Sequence, residues 1–469
     1  MLASMRPASF VPRAAALGAA TALIALSSPA AANSRFPAAG QIAISRVTPS
    51  TLLVRATYGF LYTTNAGAHW GWVCEPAVGF NSQEDPMTAF TADGTLLAGI
   101  FEGLAVSTDG ACDWSLAQGG LAGRYVIDLS VDKVDPSQAV LVITNDVGMD
   151  DAGADIYATQ LWQTADNGKT WTQAGTSLDP ELLALTVDTA PSNPMRVYIS
   201  GRLGPPDYQG VLERSDDRGA TWQALPIPGS DDTNLPYIGG VDPNNPDIVY
   251  VRLDGYPSDT LVFTPDGGTT WHTLYTSMGD LLGFAISPDG SSFALGGPMD
   301  PLQTAPTSTM ALTTASSTNV QCLTWDASGL YACADEFLQG FTAGKSTDGG
   351  KTFTPIMHLG DLCGPLECPA SSSVSEQCPS LWPATQQTIA AQCPTSGSGG
   401  GSTTSSGSPA GTGGGGHTSS AGGGGGSGSG GGKGGCSCAT PGGSGEPLAA
   451  ALGGLLAAAL IARRRRYGG

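Results

Sequence analysis

The chain has 469 residues and carries 40 Asp and Glu against 20 Lys and Arg, a formal net charge of −20. Between its two terminal segments the imbalance steepens to 39 acidic against 14 basic residues, or −25. That charge argues against nucleic acid and anionic membrane surfaces as partners of the central region, because both need a basic face; it favours cationic partners or divalent ions.

Residues 1–32 read as an export signal. Arg6 and Arg13 give the positive start, Ala14 to Leu26 is an apolar stretch, and Ser28-Pro29-Ala30-Ala31-Ala32 offers a small-residue cleavage site. This order is that of a secretory signal, and the apolar stretch is short for a membrane span. The mature chain is expected to begin near Asn33.

Residues 33–360 contain an internal repeat, which takes precedence over any local pattern. The motif Ser/Thr-x-Asp-x-Gly-x-Thr-Trp is complete at Thr164–Trp171, Ser215–Trp222 and Thr264–Trp271. Ser346–Phe353 ends in Phe instead of Trp. Thr63–Trp70 has Asn65 in the Asp position, and Ser107–Trp114 shifts its glycine to Gly110. An Asp or Ser side chain can accept backbone N–H groups a few residues on and close a turn. The glycine supplies a positive φ, and the Trp packs back over the turn. Asp109, Asp166, Asp217, Asp266 and Asp348 are therefore structural aspartates. Alternating β-rich stretches such as Arg196–Ser200 and Asp247–Val251 precede the boxes.

The first five boxes start 44, 57, 51 and 49 residues apart, and the last gap is 82, close to two periods. A unit without a recognisable box is expected between Phe284 and Thr313, with its first turn at Asp289-Gly290. These motifs resemble Asp-box (BNR-type) repeats. The resemblance implies an all-β fold, a β-propeller of four-stranded antiparallel blades; the spacing gives seven, with six or eight left open. It also implies that the boxes lie on the face away from any ligand pocket.

On the opposite face, three connections between second and third strands are long. Asn145–Asp155 presents Asp146, Asp150, Asp151 and Asp155, weak candidates for Ca²⁺, which takes roughly six to eight oxygens. The spacing is not that of a regular calcium loop. Gly201–Gly210 presents Arg202, Asp207 and Tyr208, and Arg252–Asp259 presents Arg252, Asp254 and Tyr256. Tyr and Arg in Gly/Pro-shaped loops suit recognition. Arg214 and Arg218, at a box, are expected to be solvated.

Asp-box propellers include sialidases and other glycosidases, photosystem II assembly factor-like propellers and sortilin-type propellers, so three functional classes follow from the resemblance. A sialidase would need an arginine triad, a Tyr–Glu pair and an Asp acid. The sequence has no Arg-Ile-Pro motif, only Arg35-Phe36-Pro37, and the eight glutamates of the central region lie in no such context. The favoured reading is a non-catalytic, monomeric binding module for an extracellular glycan or protein, without catalytic residues or a required cofactor. A glycan-active hydrolase and an assembly or chaperone propeller are the alternatives.

Eight cysteines in this exported region read as disulfides. Proximity suggests Cys74 with Cys112, Cys322 with Cys333, and two bridges among Cys363, Cys368, Cys378 and Cys393, which would staple a Cys-rich cap over 361–394. Residues 395–435 are almost all Gly, Ser and Thr, a flexible linker reaching roughly 35 Å. Residues 436–469 hold Cys436-Ser437-Cys438, an apolar run from Leu448 to Ala462 and Arg463–Arg466. Fifteen helical residues span roughly 22 Å, short of the bilayer's hydrocarbon core. This order of parts resembles the myxobacterial C-terminal sorting signal (MYXO-CTERM). That resemblance implies removal of the tail, anchoring through Cys436 or Cys438, and a place at the cell surface or outer membrane, with release from it as a further fate.

Overall fold

The structure, a computed structural model, describes residues 36–391 apart from Ala152 and Asp207. The expected export signal, linker and tail, with Cys393, Cys436 and Cys438, lie outside the described residues.

Seven antiparallel four-stranded sheets follow one another along the chain. The first blade is β1 (Ala39–Ile44), β2 (Leu52–Ala56), β3 (Gly59–Thr63) and β4 (Gly71–Val73). The second is β5 (Thr88–Phe90), β6 (Leu96–Ile100), β7 (Gly103–Ser107) and β8 (Ser115–Leu116). The third is β9 (Val126–Val131), β10 (Ala139–Met149), β11 (Asp155–Thr164) and β12 (Thr172–Ala174). The fourth is β13 (Leu183–Ala190), β14 (Asn193–Arg202), β15 (Gly210–Ser215) and β16 (Gln223–Pro226). The fifth is β17 (Leu235–Val241), β18 (Val249–Asp254), β19 (Thr260–Thr264) and β20 (His272–Thr276). The sixth is β21 (Gly283–Ile286), β22 (Ser292–Gly296), β23 (Leu302–Pro306) and β24 (Thr313–Ser316). The seventh is β25 (Cys322–Asp326), β26 (Gly329–Cys333), β27 (Ala343–Ser346) and β28 (Thr354–Met357).

The first strand of each blade touches the first strand of the next, and β25 returns to β1. The chain is a seven-bladed β-propeller. Its sixth blade, the one without a recognisable box, falls where the long spacing requires it.

Middle strands are packed on both faces by neighbouring blades, so they read as continuous apolar runs rather than alternating ones. All five residues of β2 and of β6 are buried. Each fully buried Leu or Val there contributes about 1.5–3 kcal/mol. Arg55 is buried within β2 because its guanidinium donates to the Asp85 carbonyl at 2.8 Å and the Gly40 carbonyl at 3.1 Å. Side chains also stitch the inner strands together. Asp128 accepts Val187 N–H at 2.9 Å, Thr186 Oγ1 accepts Ile238 N–H at 2.8 Å, and Thr324 donates to the Ile42 carbonyl at 2.8 Å across the closing seam.

Among the described residues no strand is exchanged between the first and last blades, and the segment after the last blade braces the seam from outside. After β28, Trp72 N–H donates to Gly364 O at 3.0 Å and Leu366 N–H to Trp72 O at 2.8 Å, which lays a short parallel bridge along β4. Helices α1 (Glu75–Val78) and α2 (Glu336–Gln339) are single turns, and α3 (Ser373–Thr388) follows the bridge. Ser372 caps α3, and Ser373 N–H docks on Asp113 at 2.7 Å in the second blade.

The disulfides differ from the sequence expectation. Cys322–Cys333 is present, but Cys74 pairs with Cys378 and Cys112 with Cys368, across 304 and 256 residues. Ring closure makes the first and last segments neighbours, so proximity along the chain misleads. Cys363 is also disulfide-bonded. These bonds suit an oxidising environment. Among the described residues no helix is long and apolar enough to cross a membrane.

Candidate binding face

Because every blade is an antiparallel meander, its first and third turns emerge on one side of the disc. Its second turn and the connection to the next blade emerge on the other.

The first side carries the boxes, and their geometry is that of closed turns. Thr164 Oγ1 donates to Asp166 Oδ1 at 2.8 Å and accepts Gly168 N–H at 3.1 Å, while Asp166 accepts Thr170 N–H at 2.9 Å. Asn167 and Gly168 both take positive φ. Bonds from the Thr170 hydroxyl and amide hold the Asp166 carboxyl down at about 2. Asp217, Asp266 and Asp348 are lowered by equivalent threonine bonds, and Asp109 accepts Ser107 Oγ and Asp113 N–H.

Boxes also lock neighbouring blades. Arg218 donates to Gln163 at 2.8 Å and Arg214 to the Gly267 carbonyl at 3.2 Å. Arg196 bonds Asp247 at 2.7 Å and also Asp216. Arg214 and Arg218 are thus interblade ties rather than solvated residues. A box face reads as local turns in sequence, but its arginines reach one blade further.

The other side, the loop face, holds the candidate recognition residues. Asn145–Met149 is not a loop: β10 keeps pairing with β11 up to Met149 opposite Asp155. Pairing of β10 with β9 stops at Ile143 opposite Val126. A hairpin therefore projects roughly 20 Å beyond the blade, at about 3.3 Å per residue. Asp146 accepts Gly148 N–H, Asp150 accepts Ala154 N–H, and Asp155 accepts the Tyr157 hydroxyl; Asp151 is exposed at the tip. Among the described residues no three His, Cys, Asp or Glu side chains gather into a metal-binding group.

Arg202 and Tyr208 are brought together, the guanidinium 4.9 Å from the ring centroid. Tyr208 itself is in the left-handed region at φ 49°. Asp207 lies outside the described residues. Arg202 also faces Tyr157, whose hydroxyl is pushed up to about 12 by burial and by Asp155. One seam between the third and fourth blades thus joins Asp155, Tyr157, Arg202 and Tyr208.

Arg252 is a framework residue more than a free hand. It bonds Asp259 at 3.0 Å, reaches Asp254 at 4.0 Å and lies over the Tyr237 ring at 5.0 Å. Asp259, completely buried, also accepts Leu281 N–H at 2.8 Å and Gly255 N–H at 3.1 Å. Burial pushes its carboxyl up, against the pull of Arg252. This leaves Tyr256, 75% exposed, as the presented member of that loop.

Sequence reasoning missed part of this face. Of 13 exposed large apolar residues among those described, nine lie on the loop face: Phe36, Val147, Met149, Tyr256, Met278, Leu282, Met299, Phe337 and Leu338. Three lie on the box face and one on α3, so the exposed apolar surface is concentrated on the loop face. Met299-Asp300 follows Gly296-Gly297-Pro298, so the Gly/Pro-loop criterion applied to Tyr208 and Tyr256 reaches it too.

No family model matches the chain, and no curated protein matches it. Among solved structures it is similar to an ancestral GH74 enzyme at 14% identity and a TM-score of 0.48, over 68% of this chain and 46% of that one. It is similar to the GH74 xyloglucanase from Xanthomonas campestris at 14% identity and a TM-score of 0.33, over 70% and 65% of the two chains. It is also similar to YCF48 bound to a D1 peptide, at 15% identity and a TM-score of 0.37, over 57% and 79%. The chain spans just under half the length of the first of these structures.

Proposed function

We propose that the protein is an exported, surface-anchored and non-catalytic propeller that binds a ligand on its loop face. The observation that carries this reading is the segregation of exposed apolar side chains, nine on the loop face against three on the box face. Box aspartates and their arginines are spent on turns and blade-to-blade ties, whereas the opposite side presents uncovered aliphatic, thioether and aromatic groups. Of the two ligand classes, protein is favoured over glycan, because valine, leucine and methionine make apolar contact without offering hydrogen bonds to hydroxyls.

Binding and turnover are tested together by incubating the full-length chain with a glycan array and a peptide array, with and without Ca²⁺, assaying retention and released product. Saturable retention without product supports the proposal, and released sugar supports the hydrolase alternative instead. Co-purification with one membrane complex would favour the assembly role. Surface anchoring rests on residues 436–469 and has its own test. The double substitution C436A/C438A is expected to abolish surface retention; normal display would remove that part of the reading.

A further inference from the structure

Blades five and six hold their exposed apolar residues on connections that are tied into one unit. Met278 and Leu282 sit between β20 and β21, Met299 between β22 and β23, and Tyr256 between β18 and β19. Asp259 N–H donates to Gly279 O at 3.2 Å, Ser277 N–H donates to Asp259 O at 3.0 Å, and Asp259 holds Leu281 N–H. Asp300, completely buried, accepts Met278 N–H at 3.0 Å and the Tyr275 hydroxyl at 2.6 Å. Met299 packs against Gly279, where an added Cβ would lie 2.8 Å from its sulfur.

Two buried carboxylates therefore fix the backbone under two methionines that are 63% and 62% exposed. A rigid mount bearing flexible, polarisable thioethers suits a surface that must fit apolar anchors of varied shape. Asp254 and Asp280 stand beside this patch. Burial and the nearby Asp254 push the Asp280 carboxyl up, and three carboxylates, Asp254, Asp259 and Asp280, share the one guanidinium of Arg252, which bonds Asp259 at 3.0 Å and reaches Asp254 only at 4.0 Å. An apolar patch flanked by under-compensated carboxylates calls for a ligand that brings both apolar surface and positive charge. A second copy of this chain, at −20, would bring like charge to like. An anionic membrane surface would be repelled for the same reason.

We infer that the patch formed by Tyr256, Met278, Leu282 and Met299 is a docking subsite for a protein segment whose apolar anchors are flanked by Lys or Arg. The inference rests on the loop-face reading above and narrows it to one partner chemistry and one pair of blades. The anchors insert between the methionines, and the flanking cations face Asp254 and Asp280. Binding then weakens with ionic strength, because those carboxylates are partly open to solvent.

The test uses three fluorescein-labelled synthetic peptides and the full-length chain, read by fluorescence anisotropy. One peptide carries Leu and Met anchors flanked by Lys, the second replaces Lys with Glu, and the third replaces the anchors with Ser. The first is expected to bind at least about tenfold tighter than either other. The surface variant M278Q/M299Q is expected to lose about tenfold in affinity with an unchanged thermal melt. D254N/D280N should bring the Lys and Glu peptides to within about twofold of each other. Equal affinity for the Lys and Glu peptides overturns the inference, as does indifference to both variants. Loss on V147D/M149D instead of M278Q/M299Q overturns the subsite and leaves the loop-face reading standing. Silence to all three peptides, together with saturable glycan binding, also overturns it while sparing the broader reading.

Discussion

Cys74 at the end of the first blade and Cys378 in α3 are 304 residues apart in sequence and 5.4 Å apart at their Cα atoms. Cys112 and Cys368 repeat the arrangement one blade further round, at 5.5 Å. Just before Cys368 the chain pairs with Trp72 through Gly364 and Leu366, and just after Cys378 Trp382 packs on Trp72 at 5.7 Å between ring centroids. The ring is therefore held shut by a strap fastened to the first two blades.

The double variant C74A/C378A is expected to be destabilised by about 2–4 kcal/mol, the range typical of losing a native disulfide. The strap should loosen before the blades do, because it is joined to them by few backbone bonds. Limited proteolysis should then cut within 364–391 in the variant and leave the oxidised parent intact. Equal cleavage of the two proteins, with equal melting temperatures, would show that the strap does not hold the seam.

Much of this architecture is legible in sequence because its signals are local. A box writes its hydroxyl, carboxylate, glycine and aromatic within eight residues, so turn chemistry alone identifies six blades. The seventh follows from a doubled interval and from Asp289-Gly290. What is illegible is whatever the ring brings together. Cys74 meets Cys378 because blade seven returns to blade one. Arg218 reaches Gln163 because adjacent boxes touch. Asn145–Met149 looks like a loop by its Asp and Gly content, yet it continues a ladder whose register is set by β11. Exposure of Met278 and Met299 depends on how Asp259 and Asp300 pin the loops beneath them, and no spacing announces that.

Asp259 offers a test of the framework under the proposed subsite. Replacing it with Ala leaves Arg252 only the more distant Asp254 carboxylate, at 4.0 Å, and strands Leu281 N–H. Breaking one side of a buried pair costs about 3–5 kcal/mol, whereas an apolar replacement of both partners is often close to neutral. D259A is expected to lower the urea midpoint sharply, and R252M/D259L to recover most of it. If the double variant is as unstable as D259A, the lost amide contacts of Leu281 and Gly255 dominate over the ion pair.

The box aspartates separate shape from charge. Asn65 serves the same turn with an amide, accepting the Thr63 hydroxyl at 2.8 Å and His69 N–H at 2.9 Å. Asp166→Asn is therefore expected to melt near the parent at neutral pH, and Asp166→Ala several degrees lower. The depressed Asp166 carboxyl adds a pH signature. Its folded value, about 2, lies below the ordinary 3.8, so its contribution is present above 3.8 and lost as pH falls through about 2. The Asn variant should lack that acid-side loss, and a parallel acid titration of the two proteins would contradict the assignment.

Glu213 predicts the opposite sign. It lies on β15 opposite Ile199 and Ala224, 4% exposed, and burial followed by the field of Asp179 pushes its carboxyl up to about 7 from the ordinary 4.5. A folded value above the unfolded one means that folding favours the protonated acid. Its contribution is fully present below pH 4.5 and is eroded as pH rises through about 7. At pH 8 the charged side chain should cost on the order of 1–3 kcal/mol, after allowance for solvent relaxation around it. Glu213→Gln keeps the volume and removes the ionisation. The variant is expected to melt higher than the parent at pH 8 and to match it at pH 4.5, in scans at equal ionic strength. A gap that stays constant across that range would mean that Glu213 remains charged in the folded state, with a compensating contact from the blade it faces.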